Sequence, residues 1–180
     1  RSFWQYKLAT ETINLPATKA VPEIQVFSLS LKSGDIDETV LAAIDKAIPS
    51  PLIFELLHGG KRRALATFKR PNAADPSRWV ISEYFGTGWV SEGAARLPLP
   101  VALTLESLYE KILTPMLPTS AATGETLASR VKRLERVRAK ERELAAIKGR
   151  LAREKQFNKR VAINAELRDA KQKLKELVQA

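Results

Sequence analysis

The sequence has no cysteine, and its only histidine is His58. The absence of cysteine excludes disulfides and thiolate chemistry, and together with the single histidine it excludes the usual zinc sites. Neither a P-loop nor a Gly-x-Gly-x-x-Gly motif for nucleotide phosphates is present. No apolar run approaches the roughly 20 residues that a bilayer-spanning helix needs. We therefore expect a cytoplasmic protein with no cofactor, no metal ion and no membrane partner.

Residues 125–180 lack proline and contain one glycine, Gly149. Their many Lys, Arg, Glu, Leu and Ala residues favour helix, so this basic arm is predicted to be one long helix or a helical hairpin. Because no proline or glycine marks a turn, we favour a continuous coiled-coil-like helix of about 80 Å at 1.5 Å per residue. A linker at 119–124 would join it to a body formed by residues 1–118.

The excess positive charge lies almost entirely in the basic arm. The arm holds 17 basic and 8 acidic residues, a net of +9, whereas the whole chain holds 30 and 20, a net of +10. The remaining 124 residues therefore carry only +1. Such asymmetry indicates a polyanion or an acidic protein groove as the partner. A solvated helix whose lysines only face water is the simpler alternative.

Apolar residues in the arm recur at spacings of three and four, as they do along a coiled-coil seam. The clearest run is Ile163, Leu167, Ala170, Leu174 and Leu177. A second helix must cover a seam this narrow. We therefore predict that Leu167, Leu174 and Leu177 bind a partner protein or form a homodimer. The preceding apolar run has a different register, which either a stutter or a hairpin turn within 154–160 would explain.

Seven basic residues form the densest run of the arm. We predict that they contact nucleic-acid phosphates: Arg130, Lys132, Arg133, Arg136, Arg138, Lys140 and Arg142. A basic helix can follow the phosphate backbone without reading bases, so the expected DNA binding is nonspecific and weakens steeply with salt. The single aromatic residue of the arm, Phe157, argues against stacking on single-stranded bases. An acidic protein groove would satisfy the same charges.

Strand patterns dominate residues 1–118. Period-two alternation and short apolar runs predict five strands, at 3–8, 23–31, 52–57, 64–69 and 79–85, and residues 89–90 would add a short sixth. The two glycines after His58 predict a tight hairpin turn, with the histidine as a surface residue beside it.

Two helices are predicted among these strands. The first begins at an N-cap, Asp35 or Asp37, and the second runs from Thr104 to about Leu117. Leu97–Pro100 is predicted to be a linker. The fold class is therefore α+β: a small antiparallel-rich sheet with helices on one face, followed by the long C-terminal helix.

Three stretches of the chain resemble a known family. The most specific is Glu154-Lys-Gln-Phe-Asn-Lys-Arg-Val-Ala-Ile-Asn-Ala-Glu-Leu-Arg168, and the others are Lys7-Leu-Ala-Thr-Glu-Thr-Ile-Asn-Leu15 and Asp45-Lys-Ala-Ile-Pro49. They resemble a bacterial family with a domain of unknown function, whose members are often encoded beside restriction-modification methyltransferases and helicases. The resemblance implies a defence-system accessory protein and carries over no catalytic residue. It also implies a further segment before Arg1, and an acidic residue in relatives where this chain has Ala162.

We therefore expect a non-catalytic accessory or assembly subunit of a bacterial restriction-type phage-defence complex. Through the arm it would bind a partner such as a helicase or a methyltransferase. The alternative is a DNA-binding protein or a metal-dependent nuclease component.

The nuclease alternative depends on two features of the body. Gln5-Tyr6-Lys7 resembles the glutamine form of an acid-x-Lys nuclease motif, and Glu55 lies in an apolar strand where an unpaired charge is costly. A salt bridge from Glu55 to Lys69 or Arg63 is the structural explanation of that residue. Because no Glu-x-Lys or Asp-x-Lys occurs in the body, an interaction module is favoured over an enzyme.

Overall fold

The computed structural model describes residues 2–72, 74–75 and 78–179, in two compact units, residues 1–120 and 121–180. The first, the sheet unit, contains these elements: β1 Ser2–Leu8, α1 Thr10–Ile13, β2 Ile24–Ser30, α2 Glu38–Ala47, β3 Leu52–His58, β4 Lys61–Pro71, β5 Trp79–Gly86, β6 Val90–Ser91, α3 Leu105–Leu113 and a 3₁₀ turn at Thr114–Met116. The second, the helical hairpin, contains α4 Leu127–Arg153 and α5 Phe157–Gln179. Among the described residues, no helix combines the length and apolar character that crossing a bilayer requires.

The strands form one sheet in the order β1-β2-β3-β4-β5. The short strand β6 pairs with the first residues of β4, and β5 pairs with later residues of that strand. Only β2 and β3 run parallel among the described strand pairs, and α2 makes the crossover between them. The other pairs are antiparallel. A mixed α and β fold with an antiparallel-rich sheet is thus confirmed.

Helices cover both faces of the sheet. Leu41 of α2 joins a buried core with Phe54 on one face. Ile53 points to the opposite face because neighbouring strand residues alternate, and there it lines the same cleft as Ile112 of α3. The prediction that the helices lie on one face is therefore wrong. The reason is visible in β3, where residues 52–56 are all buried and both faces need a cover.

Local sequence signals set the ends of α2 and the turn after β3. Asp37 caps α2, and its Oδ1 accepts a hydrogen bond from the Thr39 N–H at 2.8 Å. Gly59 and Gly60 adopt φ values of 56° and 70°, which only glycine adopts without strain in succession. Both predictions are confirmed. His58 ends β3, with its Nδ1 3.3 Å from the carbonyl oxygen of Leu31.

Tyr109 of α3 completes the edge of β4. The pairing of β3 with β4 extends only to Ile53 and Ala66. Beyond that point the Tyr109 hydroxyl accepts a hydrogen bond from the Lys69 N–H at 3.2 Å and donates one to the Thr67 carbonyl. A side chain thus satisfies backbone groups that a strand would otherwise pair, and it fixes α3 against strand β4.

The basic arm is a hairpin of two antiparallel helices. Their facing stripes form a buried core of Leu144, Ile147, Leu167 and Ala170, flanked by Leu151, Ile163 and Leu174. The favoured continuous helix is therefore wrong, and the hairpin alternative is the one observed. The knobs-into-holes packing of a coiled coil stays a prediction.

A glutamate makes the turn that no glycine or proline marks. Glu154 leaves the helical region with φ −78° and ψ 127°. Its carboxylate accepts the Gln156 N–H at 2.8 Å, and its carbonyl accepts a hydrogen bond from the Arg160 guanidinium at 3.3 Å. These polar contacts stabilise the turn. The turn lets the apolar stripes of α4 and α5 bury each other, which neither helix could do alone.

Candidate functional site

The seven basic residues predicted to contact phosphates do not share one environment. Lys132, Arg136 and Arg142 are exposed and make no ion pair among the described residues. Arg138 is also exposed, but it lies 3.5 Å from Glu141. Lys140 is half-buried and donates to Glu143 at 2.5 Å.

The remaining two, Arg130 and Arg133, are withdrawn from the surface. Arg130 is only 6% exposed. Arg133 donates through Nε and Nη2 to the two carboxylate oxygens of Glu125, each at 2.8 Å. These hydrogen bonds, with one from the Ala122 N–H, lower the pKa of Glu125 to about 2. The Arg133–Glu125 pair therefore holds the start of α4 instead of offering a free cation.

The surface of the hairpin remains strongly basic despite these pairs. Helix α4 contains 10 basic and 3 acidic residues, and α5 contains 6 and 3, so the two helices together hold 16 against 6. The cations lie outside the apolar stripe that joins the helices.

The residues predicted to bind a partner through an apolar seam lie inside or beside the hairpin core. Leu167 is buried in the interface between α4 and α5, and Leu174 packs against the same cluster. Leu177 is half-buried near the end of α5. Helix α4 of the same chain thus packs against Leu167 and Leu174. Partner binding through the seam stays a prediction.

A cleft in the sheet unit was not predicted from the sequence. It has a volume of about 620 Å³ and lies on the sheet face opposite α2. Its floor is formed by Leu8, Val26, Ile53 and Ala64 from four neighbouring strands. The end of α3 forms one wall, and residues 94–100, here called the strap, contribute the other.

Glu55 and Arg96 join the strap to the floor of the cleft. The Arg96 guanidinium donates to both carboxylate oxygens, with Nη1 to Oε1 at 2.6 Å and Nη2 to Oε2 at 3.0 Å. The Glu55 side chain is 9% exposed and the Arg96 side chain 51%. Hydrogen bonding to Glu55 raises the pKa of the Arg96 guanidinium. A bidentate pair of this kind orients both groups and keeps the buried carboxylate compensated.

The sequence indicated that Glu55 needs a counterion, but it did not indicate that Arg96 provides it. An acidic residue in the apolar strand β3 indicated a counterion, yet the expected partners Lys69 and Arg63 are both engaged elsewhere. Arg63 lies over the Trp89 ring, with its Cζ 4.9 Å from the ring centroid. Arg96 is 41 residues away from Glu55 and directly precedes Leu97–Pro100, the segment predicted to be only a linker.

Lys69 belongs to a separate buried network. Its Nζ donates to the carbonyl oxygens of Asp45 and Ile48 at the end of α2 and lies 3.4 Å from the Asp45 carboxylate. The Tyr84 hydroxyl donates to that carboxylate at 2.5 Å. Burial raises the pKa of the Asp45 carboxyl and lowers that of the Lys69 ammonium group. Since both side chains are fully buried, the network fixes α2 on the sheet and offers no surface for a ligand.

The residues of the proposed nuclease motif lie in a surface ion-pair cluster. Lys7 Nζ is 2.9 Å from Glu11 and 3.0 Å from Glu23, and Gln5 is exposed. In the part of the chain that the structure describes, no group of three histidine or acidic side chains could hold a metal ion.

Comparison with known proteins gives a family and no activity. The family described as "Domain of unknown function (DUF4391)" matches residues 3–174, which span both units. No curated protein and no solved structure matches the chain.

Proposed function

We propose that this chain, which belongs to the DUF4391 family over almost its whole length, is a non-catalytic accessory subunit of a bacterial restriction-type defence system. In this proposal its helical hairpin binds the phosphate backbone of nucleic acid. The defence context is supported by the resemblance of residues 154–168 to proteins encoded beside methyltransferases and helicases. The role of the hairpin is supported by its own charge distribution.

The observation that carries the proposal is the separation of apolar and basic residues in the hairpin. Leu144, Ile147 and Leu167 pack against one another inside it. What the two helices leave exposed is rich in cations, among them Lys132 and Arg136 one turn apart on α4. A surface of this kind attracts a polyanion through charge, because its apolar seam is already occupied.

This proposal allows a partner protein only if that protein contacts the charged surface of the hairpin. A helicase or methyltransferase would contact the hairpin through its charged surface, since Leu167 and Leu174 are packed inside it. Homodimerisation through the arm would likewise need residues outside the core. Phosphates are favoured because a hairpin without an exposed apolar seam suits sequence-independent backbone contacts.

The test is a salt titration of duplex DNA binding by fluorescence anisotropy. We expect the affinity to fall by orders of magnitude between about 50 mM and about 200 mM salt, with little dependence on sequence. Replacing Lys132, Arg136 and Arg142 with Glu should abolish binding, because these exposed cations are available to phosphates. Arg130 and Arg133 are left unchanged, so the buried side of α4 stays intact.

A matched control carries the same change of charge on the sheet unit. Lys19, Lys32 and Lys46 are exposed, and their replacement with Glu should leave DNA binding nearly unchanged. Equal loss in both triple variants would show that only net charge matters. Absence of DNA binding by the parent protein at low salt would overturn the phosphate proposal and favour an acidic protein partner.

A further inference from the structure

The cleft between the sheet and the strap combines an apolar floor with a cationic rim. Leu8, Val26 and Ile53 are buried or nearly so, and Ala64 leaves room above β4 because its side chain is small. Ile112 and Met116 extend the apolar lining along one wall. A volume of about 620 Å³ falls within the range of about 300–1,000 Å³ that accommodates small organic ligands.

Four cationic residues line this cleft, against the one carboxylate of Glu55: Arg62, Arg63, Arg96 and Lys111. Arg62 donates to the carbonyl oxygens of Glu92 at 3.0 Å and Ala94 at 2.6 Å. Lys111 donates to the carbonyl oxygen of Val101 at 2.6 Å. Carbonyl oxygens hold these side chains in place without neutralising them, and each cation has further N–H groups to donate. With Arg96 paired to Glu55, the lining residues retain three positive charges. The Arg63 guanidinium lies over the Trp89 ring, so Arg62, Lys111 and the paired Arg96 form the cationic rim.

We propose that this cleft binds a small amphipathic organic anion. The apolar part of the ligand would lie on the floor formed by β1 to β4, between the strap and α3. Its carboxylate or other anionic group would accept hydrogen bonds from Arg62, Arg96 and Lys111. The apolar floor provides the burial of hydrocarbon, and the charge complementarity at the rim selects an anion over a cation or a neutral molecule.

The probe for this site is 1-anilinonaphthalene-8-sulfonate, an aromatic sulfonate whose fluorescence rises in apolar surroundings. We expect saturable binding of one probe to the full chain. Dodecanoate should displace it, whereas dodecyltrimethylammonium, with the same hydrocarbon chain and the opposite charge, should not. Equal displacement by the two detergents would overturn the proposal, because the cationic rim would then have no role.

Variants of the rim test the same point within the protein. The double variant R62Q/K111Q should weaken dodecanoate binding by about tenfold or more, because it removes two charge-assisted donors. The matched variant R62K/K111R keeps both charges and should stay within about threefold of the parent protein. Lys111 is exposed, so K111Q alone provides the same comparison if the Arg62 changes disturb the strap. Unchanged binding in K111Q and in R62Q/K111Q would contradict the proposal.

A variant of the floor tests the location. Ala64→Phe fills space above β4 and should abolish probe binding while tryptophan fluorescence shows a folded sheet unit. Full probe binding by a folded Ala64→Phe protein would place the ligand elsewhere and overturn the assignment. If that variant does not fold, the rim variants decide.

This proposal is independent of DNA binding by the hairpin. The K132E/R136E/R142E variant should bind dodecanoate like the parent protein, and duplex DNA should not displace the probe from the cleft. Displacement by DNA, or loss of dodecanoate binding in the hairpin variant, would contradict a separate site on the sheet unit.

Discussion

The sheet unit contains a fully buried ion pair, whereas the ion pair that joins the two helices of the hairpin is exposed. In the sheet unit the Lys69–Asp45 pair has side-chain exposures of 0% and 0%. In the hairpin, Arg150 and Glu166 form a pair at 2.5 Å with exposures of 51% and 47%. The first pair determines how α2 packs on the sheet, whereas the second is accessible to water and to any partner. Charge also organises part of the hairpin, where the Arg133–Glu125 pair has exposures of 13% and 10%, but the pair that joins α4 to α5 stays at the surface.

The two units can also be followed separately in one experiment. All three tryptophans, Trp4, Trp79 and Trp89, belong to the sheet unit, and the hairpin has neither tryptophan nor tyrosine. The hairpin instead contains most of the helical residues. Tryptophan fluorescence therefore reports on the sheet unit, and far-ultraviolet circular dichroism is dominated by the hairpin. Each prediction below uses this difference.

The largest expected effect is the loss of Lys69. Lys69→Met leaves the Asp45 carboxylate buried without its counterion, which should lower the free energy of unfolding of the sheet unit by about 3–5 kcal/mol. Urea denaturation followed by tryptophan fluorescence measures it. The double variant K69M/D45L should recover a large part of the loss, because no buried charge remains. A loss below about 1 kcal/mol in Lys69→Met would show that the pair is dispensable.

A smaller effect is expected from the hairpin core. Ile147 is 1% exposed, and Ile147→Ala should lower the free energy of unfolding of the hairpin by about 3 kcal/mol because it leaves a cavity between α4 and α5. Circular dichroism in urea should show this change, while tryptophan fluorescence stays unchanged. Val161→Ala, at a position that is 53% exposed on α5, is the control and should shift stability by less than about 0.5 kcal/mol. Similar losses in the two variants would argue against the observed packing.

The smallest effect is a dependence of the hairpin on pH. The pKa of Glu125 is lowered from its ordinary value of 4.5 to about 2, first through its hydrogen bond with Arg133. A carboxyl whose folded pKa is depressed contributes stability above its unfolded pKa, and that contribution disappears as pH falls through the folded value. Helix content in moderate urea should therefore decline between about pH 4.5 and about pH 2. Glu125→Gln should reduce this decline, and an identical pH profile would show that the pair has no such role.

Local features of the fold could be predicted because a few neighbouring residues determine them. Gly59 and Gly60 form a hairpin turn, and Asp37 caps the helix α2 that begins directly after it. Both features follow from the residue types at those positions. The turn at Glu154 could not be placed in the same way. It depends on polar contacts of Glu154 with Gln156 and Arg160, and no residue type there excludes helix.

The two candidate sites also differ in how far the sequence predicts them. The basic surface of the hairpin follows from composition, so the sequence indicated it, although only the structure separates exposed Arg136 from paired Arg133. The cleft depends on contacts between distant segments. Glu55 meets Arg96 only after the strap folds over the sheet, and no local pattern around Leu97 predicts that path.

The spatial order of the strands has a consequence for how the chain folds. From β1 to β5, each strand lies beside the one that precedes it in sequence. The sheet can therefore grow by adding each new strand to the current edge, without threading a strand between two that are already paired. Contacts of short sequence separation favour rapid folding, and the slowest closure in such a scheme is the parallel crossover through α2. During synthesis this order would let the sheet assemble from its N-terminal edge as the chain emerges.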